Sequence, residues 1–202
     1  MTLVFPLVGL LAVSAFTADT PLDRLLKTVE QRYNRTDTLQ VLFQYRYIKT
    51  GRAQRPESGV LDLRKPRKMR WEYSEPKGKL AVCDGKTFWT SIPGEDVEKL
   101  ELKDSDIAPF GFLLGKLNFD KEFRNLKSAP EGADTRVAGE PKTDNLPYSG
   151  VEFLIAPDGR VKEVKITRCD NSLMVYTFDQ EKAGIRLDDK LFQFQMPKGA
   201  GK

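Results

Sequence analysis

The chain has 202 residues, of which 40% are hydrophobic and 31% charged; 33 basic against 29 acidic residues leave a formal net charge of +4. That length and apolar content suit one domain with a substantial core, and a mild charge spread along the sequence argues against a nucleic-acid groove. Histidine is absent from the sequence, which removes the commonest general base, the commonest zinc ligand and the usual partner of a Ser or Cys nucleophile.

The first apolar run, Leu3 to Val13, is uncharged, too short to span a bilayer, and followed by small residues. It reads as a signal peptide. Val13-Ser14-Ala15 favours cleavage after Ala15, giving residues 1–15 as signal and 16–202 as one domain; Phe16-Thr17-Ala18 offers 1–18 as the alternative. One departure from the usual pattern is that only Met1 and Thr2 precede the run, and neither is basic. No later segment is apolar for long enough to cross a membrane, so the mature protein is expected to be soluble. Neither Cys83 nor Cys169 follows the cleavage site, so a lipid anchor is not expected; in an exported protein the two either pair or remain free thiols.

Asp19 or Thr20 can cap a helix with Pro21 in its first turn, and Leu22, Leu25, Leu26, Val29 and Tyr33 fall on one face, predicting an amphipathic helix over 20–34. Strand periodicity follows in Leu39, Val41, Phe43, Tyr45 and Tyr47, which alternate with polar residues. Further strands are predicted near 57–64, 67–75, 79–84, 86–92 and 96–103, with Asp84-Gly85 as a hairpin signal. Short connections imply antiparallel pairing. Asp104-Ser-Asp106 then caps a very apolar stretch containing Ile107, Phe110, Phe112, Leu113, Leu114 and Leu117, which predicts one or two short helices. Strands resume near 122, including 149–156, 160–169 and 172–181, with Pro157-Asp-Gly159 as a turn. Leu191 to Pro197 reads as a last short strand.

Chemistry is otherwise sparse. Gly111 and Gly115 lack the Lys-Ser/Thr ending of a phosphate loop, two distant cysteines are no metal site, and the carboxylates alternate with apolar positions as a solvated face would. What remains is an excess of inward-facing apolar residues: Val41, Phe43, Tyr45, Leu61, Leu63, Met69, Trp71, Tyr73, Phe88 and Ile92 on strands, and Phe110, Phe112 and Leu113 in the helical stretch. A curved sheet of about ten or more strands is too wide for its own side chains to fill, so it encloses a ligand cavity or collapses. The helical pieces, with Leu22, Leu25, Leu26 and Val29 on one and Phe110, Phe112 and Leu113 on the other, are natural covers for its mouth.

Two stretches carry a family resemblance. Ser58-Gly-Val-Leu-Asp-Leu-Arg-Lys-Pro-Arg-Lys-Met-Arg-Trp71 and Asp84-Gly-Lys-Thr-Phe-Trp89, with Pro109-Phe110 and a terminal Phe192-x-Phe-x-x-Pro197, resemble the LolA family of periplasmic outer-membrane lipoprotein carriers over most of the mature chain. The resemblance implies a mainly β fold: an incomplete antiparallel barrel of about eleven strands, lidded by short helices over an apolar cavity. It further implies a periplasmic chaperone without enzymatic activity or cofactor. Such a protein accepts lipoprotein acyl chains from an inner-membrane ABC transporter and passes them to an outer-membrane acceptor lipoprotein. A carrier or binder of another lipid or glycolipid, or an envelope sensor or structural module of the same fold, is the alternative. The chain is expected to act as a monomer and to bind no nucleic acid. In the family a basic residue before the signature proline is associated with bonds that hold the lid closed; here it is Lys65, a point donor where some members have the planar fork of Arg.

Overall fold

The computed structural model describes residues 19–101, 115–144 and 146–195. The chain opens with a helix, α1 (Pro21–Asn34), and seven strands follow: β1 (Thr38–Lys49), β2 (Arg52–Ala53), β3 (Glu57–Arg64), β4 (Lys68–Glu75), β5 (Leu80–Asp84), β6 (Thr87–Ser91) and β7 (Glu98–Glu101). After a short helix, α2 (Phe119–Glu122), come β8 (Phe123–Glu131), β9 (Asp134–Pro141), β10 (Tyr148–Ile155), β11 (Val161–Arg168) and β12 (Leu173–Ala183). A 3-10 turn, Asp189–Phe192, ends the regular structure.

All twelve strands belong to one antiparallel sheet in the order β7-β6-β5-β4-β3-β1-β12-β11-β10-β9-β8, with β2 paired to β1. The sheet is open. Among the described residues its two edge strands, β7 and β8, follow one another in chain order.

The helix start and the hairpins have local causes. Thr20 caps α1 through a reciprocal pair: its Oγ1 accepts from the Asp23 amide at 3.1 Å, and Asp23 Oδ2 accepts from the Thr20 amide at 2.8 Å. Between β5 and β6, Asp84 Oδ1 accepts from the amides of Lys86 and Thr87 at 2.8 and 2.9 Å, while Gly85 takes a φ of +106° that L side chains rarely adopt.

Ring contacts show how strongly the sheet curves. Trp71 on β4 and Tyr176 on β12 are three strand spacings apart in the sheet, about 14 Å if it were flat. Their rings lie 5.9 Å apart. The inner faces of both halves accordingly merge into one core, in which Leu26, Val29 and Tyr33 of α1 pack with Val41, Phe43, Leu61, Leu63, Met69 and Trp71 from one side and Phe119, Phe153, Ile155 and Val164 from the other. A 14-residue helix, about 21 Å long, covers that much sheet only because the sheet wraps around it.

Two expectations need correction. The tail is not a strand: Asp188 Oδ1 caps a 3-10 turn by accepting from the Lys190 amide at 2.9 Å, and Phe192 lies 1% exposed beneath it. Phe192 and Phe194 turn inward while Gln193 and Gln195 stay out, so a segment strapped over the sheet's outer face mimics strand alternation. Pro197 lies outside the described residues. Of the two states left open for the cysteines the structure shows free thiols, Cys83 buried in β5; the correction concerns Cys169, which lies exposed in the turn after β11 and not within the strand predicted over 160–169.

Candidate functional site

Along each central strand the inner face changes character from one end to the other. On β1, Leu39, Val41 and Phe43 are 4%, 2% and 2% exposed, whereas Tyr45 and Tyr47 are only half-buried. Met69 and Trp71 of β4 are buried and Tyr73 is half-buried; Met174 and Tyr176 of β12, which lie opposite Tyr47 and Tyr45, are half-buried too. The sheet therefore has an end sealed by α1 and an end where aromatic surface stays accessible.

The sealed end is tied together by polar bonds that satisfy the terminus of α1. The Tyr33 hydroxyl donates to Glu181 Oε2 at 2.8 Å and accepts from the Val161 amide at 3.0 Å, linking α1 to β11 and β12. Arg32 pairs with the same carboxylate. Burial, reinforced by Glu181, holds the Tyr33 hydroxyl protonated far above the usual phenol range. Asn34 acts as a surrogate peptide, donating to the Leu117 carbonyl and accepting from its amide, both at 2.8 Å, and Glu30 accepts from the Phe119 amide at 2.8 Å. Lys65 Nζ donates to the Tyr33 carbonyl in the last turn of α1, which also accepts from the Thr36 amide at 3.2 Å. Burial lowers its pKa, partly offset by Asp37.

The accessible end combines rings with a shielded ion pair. Tyr45 stacks on Tyr176 at 4.7 Å, and Phe43 meets Trp71 and Tyr73 edge-on at 4.8 and 5.1 Å. Lys79 Nζ donates to both oxygens of Glu57, at 2.8 and 2.7 Å, and lies 4.5 Å from the Tyr73 ring centre. Burial first, and Glu57 next, push Tyr45 up to about 12 and Tyr73 above the ordinary phenol range.

Of the residues singled out in the sequence, Val41, Phe43, Leu61, Leu63, Met69 and Trp71 meet in the core beneath α1. Tyr45, Tyr73 and Phe88 pack at its margin, and Ile92 is half-buried just past the end of β6. Leu26 and Val29 are buried, Leu22 and Leu25 partly so against the same core. Phe110, Phe112 and Leu113 lie outside the described residues. The structure adds Met174, Tyr176 and Phe178 of β12, whose alternation was readable although their neighbours across β1 were not, and the Glu57–Lys79 pair, which carries no local signal. A second groove, of about 770 Å³, has a mixed lining in which Gln40, Gln44, Asp62, Glu72 and Asp179 alternate with Leu42, Val60 and Phe178.

Residues 34–195 match the family model described as outer membrane lipoprotein carrier protein LolA. The chain belongs to the LolA family. Curated relatives named outer-membrane lipoprotein carrier protein include one from Chromobacterium violaceum, 28% identical over 155 residues covering 74% of each chain. Another, from Proteus mirabilis, is 24% identical over 85% of this chain and 84% of its own. A conserved protein from Thermus thermophilus shares the fold at 15% identity and a TM-score of 0.51, over 90% of this chain and 97% of that one. The LolA signature now has a physical reading. Leu61, Leu63, Met69 and Trp71 supply the core floor, Asp84 and Gly85 form the hairpin, and Trp89 faces outward to stack on Phe194 at 5.8 Å.

Proposed function

We propose that this protein is a periplasmic carrier that binds the acyl chains of lipoproteins on the inner face of its sheet and delivers them to the outer membrane. The observation that carries the reading is the gradient of burial along β1, β4 and β12, which leaves a half-buried aromatic surface at one end of an otherwise sealed core, in a chain of the LolA family. Rings and Met side chains adapt to flexible hydrocarbon without needing directional bonds. Burying one acyl chain of common length contributes on the order of 10 kcal/mol, at about 0.8 kcal/mol per methylene. Release into water is therefore too slow to serve transport, and unloading proceeds as a handover between apolar surfaces.

On this reading residues 1–15 direct export, the protein loads as a monomer from an inner-membrane ABC transporter, and an outer-membrane acceptor lipoprotein takes the cargo. Carriage as proposed needs neither catalysis nor cofactor. The test is to recover the full chain from the periplasm of a producing bacterium and identify co-purifying lipid by mass spectrometry. Acylated N-terminal peptides of lipoproteins are the expected finding. Glycolipid or phospholipid alone would redirect the reading to another amphiphile, and a lipid-free protein that takes up no acyl probe would overturn it.

A further inference from the structure

The accessible end of the inner face is not uniformly greasy. Tyr45, Tyr73 and Tyr176 bring three phenol groups to it, and all three lie within the field of the Glu57 carboxylate. Among the described residues, the hydroxyls of Tyr45 and Tyr73 have no hydrogen-bond partner, although their rings are packed by Tyr176 and Phe43. Neither hydroxyl oxygen is fully buried, so both stay open to water and to a ligand that reaches this end of the face. The two charged side chains bonded together beside these rings, Glu57 and Lys79, neutralise each other at 2.7 Å, so the cluster presents hydrogen-bond donors without net charge.

We infer that Tyr45 and Tyr73 form a polar subsite that donates hydrogen bonds to the ester carbonyl oxygens joining the cargo's acyl chains to their glycerol, and so sets how deep the chains enter. The inference rests on the carrier reading above and adds which end of the lipid lies where. Three features converge on an ester. Its carbonyl oxygens are neutral acceptors, matching neutral donors, and Lys79 is already committed to Glu57; among the described residues the one other cation whose charge acts on Tyr45, Arg168, is exposed to solvent. Phenols whose ionisation is suppressed by burial remain donors throughout the physiological range. The position is also right, since the sealed end presents mainly apolar side chains to the core, and a carbonyl drawn that far would lose its partners.

Binding of two lipids with identical hydrocarbon tests this, using the full chain purified from the periplasm in a competition assay against a fluorescent acyl probe. The lipids are a dihexadecanoyl glycerol, which has ester carbonyls, and its dihexadecyl ether analogue, which has none. Wild type is expected to bind the diester roughly threefold to tenfold more tightly, the range of one net hydrogen bond. The Tyr45→Phe, Tyr73→Phe double variant keeps both rings and should lose the preference, binding diester and diether with equal affinity. Equal binding of both lipids by wild type overturns the subsite and leaves acyl carriage standing; so does a preference that survives in the double variant. Failure of wild type to bind either lipid overturns the carrier reading itself and this inference with it.

Discussion

Among the described glycines, Gly59 has the least room. A Cβ built there would lie 2.0 Å from the carbonyl oxygen of Glu72 and 2.8 Å from the Tyr73 Cα, both backbone atoms of β4 that cannot swing aside. The close approach occurs where the β3–β4 register shifts between Ser58 and Gly59, so the missing side chain is what lets the two strands bend together. Gly59→Ala is therefore expected to cost about 3 kcal/mol or more, read as a large drop in the urea midpoint. Gly150→Ala makes the control: its nearest atoms are 3.9 Å away, and stability should stay within about 1 kcal/mol of wild type. Gly59 could be picked out beforehand as part of a pattern, yet its reason could not, because the clash involves the backbone of a different strand. The same limit applies to Tyr176. Its place on an alternating strand was readable; its stacking on Tyr45 depends on β12 returning to pair with β1 from the far end of the chain.

The carboxy-terminal strap is held on the outer face by packing and by charge. Arg64 lies 5.8 Å from the Phe192 ring centre, and Asp189 Oδ1 accepts from Arg64 at 2.6 Å and from Lys68 at 2.9 Å. The bonds from Lys68 and then Arg64 hold the Asp189 carboxyl below its ordinary range of about 3.8. A folded-state pKa below the unfolded one means that Asp189 stabilises the strap above pH 3.8, and that this contribution is lost as pH falls through the depressed value. At pH 7, Asp189→Asn should speed amide hydrogen exchange across 187–195, where the Leu191 and Gln193 amides bond to Asp188 and Lys190, without changing exchange in β10 and β11. Below the depressed pKa wild type should exchange as fast as the variant; equal protection at pH 7 would show that the apolar contacts alone hold the strap. Elements were read from the sequence unevenly for a related reason. Period and capping placed α1 and most strands within two residues, since those signals are local. The strap kept strand periodicity while lying on a sheet it never joins, and only the buried Val82 and the half-buried Trp89 on that outer face reveal the difference.

A carrier must admit cargo and then give it up, and an open sheet covered at one end by α1 confines the ways of doing so. If α1 moves, every bond at its carboxy-terminal end resists loading: Lys65 to the Tyr33 carbonyl, Arg32 and Tyr33 to Glu181, and Asn34 to Leu117. Each is worth on the order of 1 kcal/mol, so removing one shifts the displaced population by about fivefold and removing two by about twenty-five. The core beneath α1 is filled by its own side chains, so a cargo chain entering there competes with them rather than with water. Lys65→Leu is thus expected to raise the rate of acyl-probe uptake by about fivefold while slowing transfer to an acceptor, because the packing beneath α1 that competes with cargo is weakened. Arg32→Ala, which loosens the same helix from the opposite strand, should act in the same direction, and the double variant should show the product of the two effects if both report one motion. Stopped-flow uptake measured beside urea unfolding separates the alternatives: lost stability with unchanged uptake in both variants would make α1 a fixed wall of the core and assign entry entirely to the far, aromatic end of the sheet.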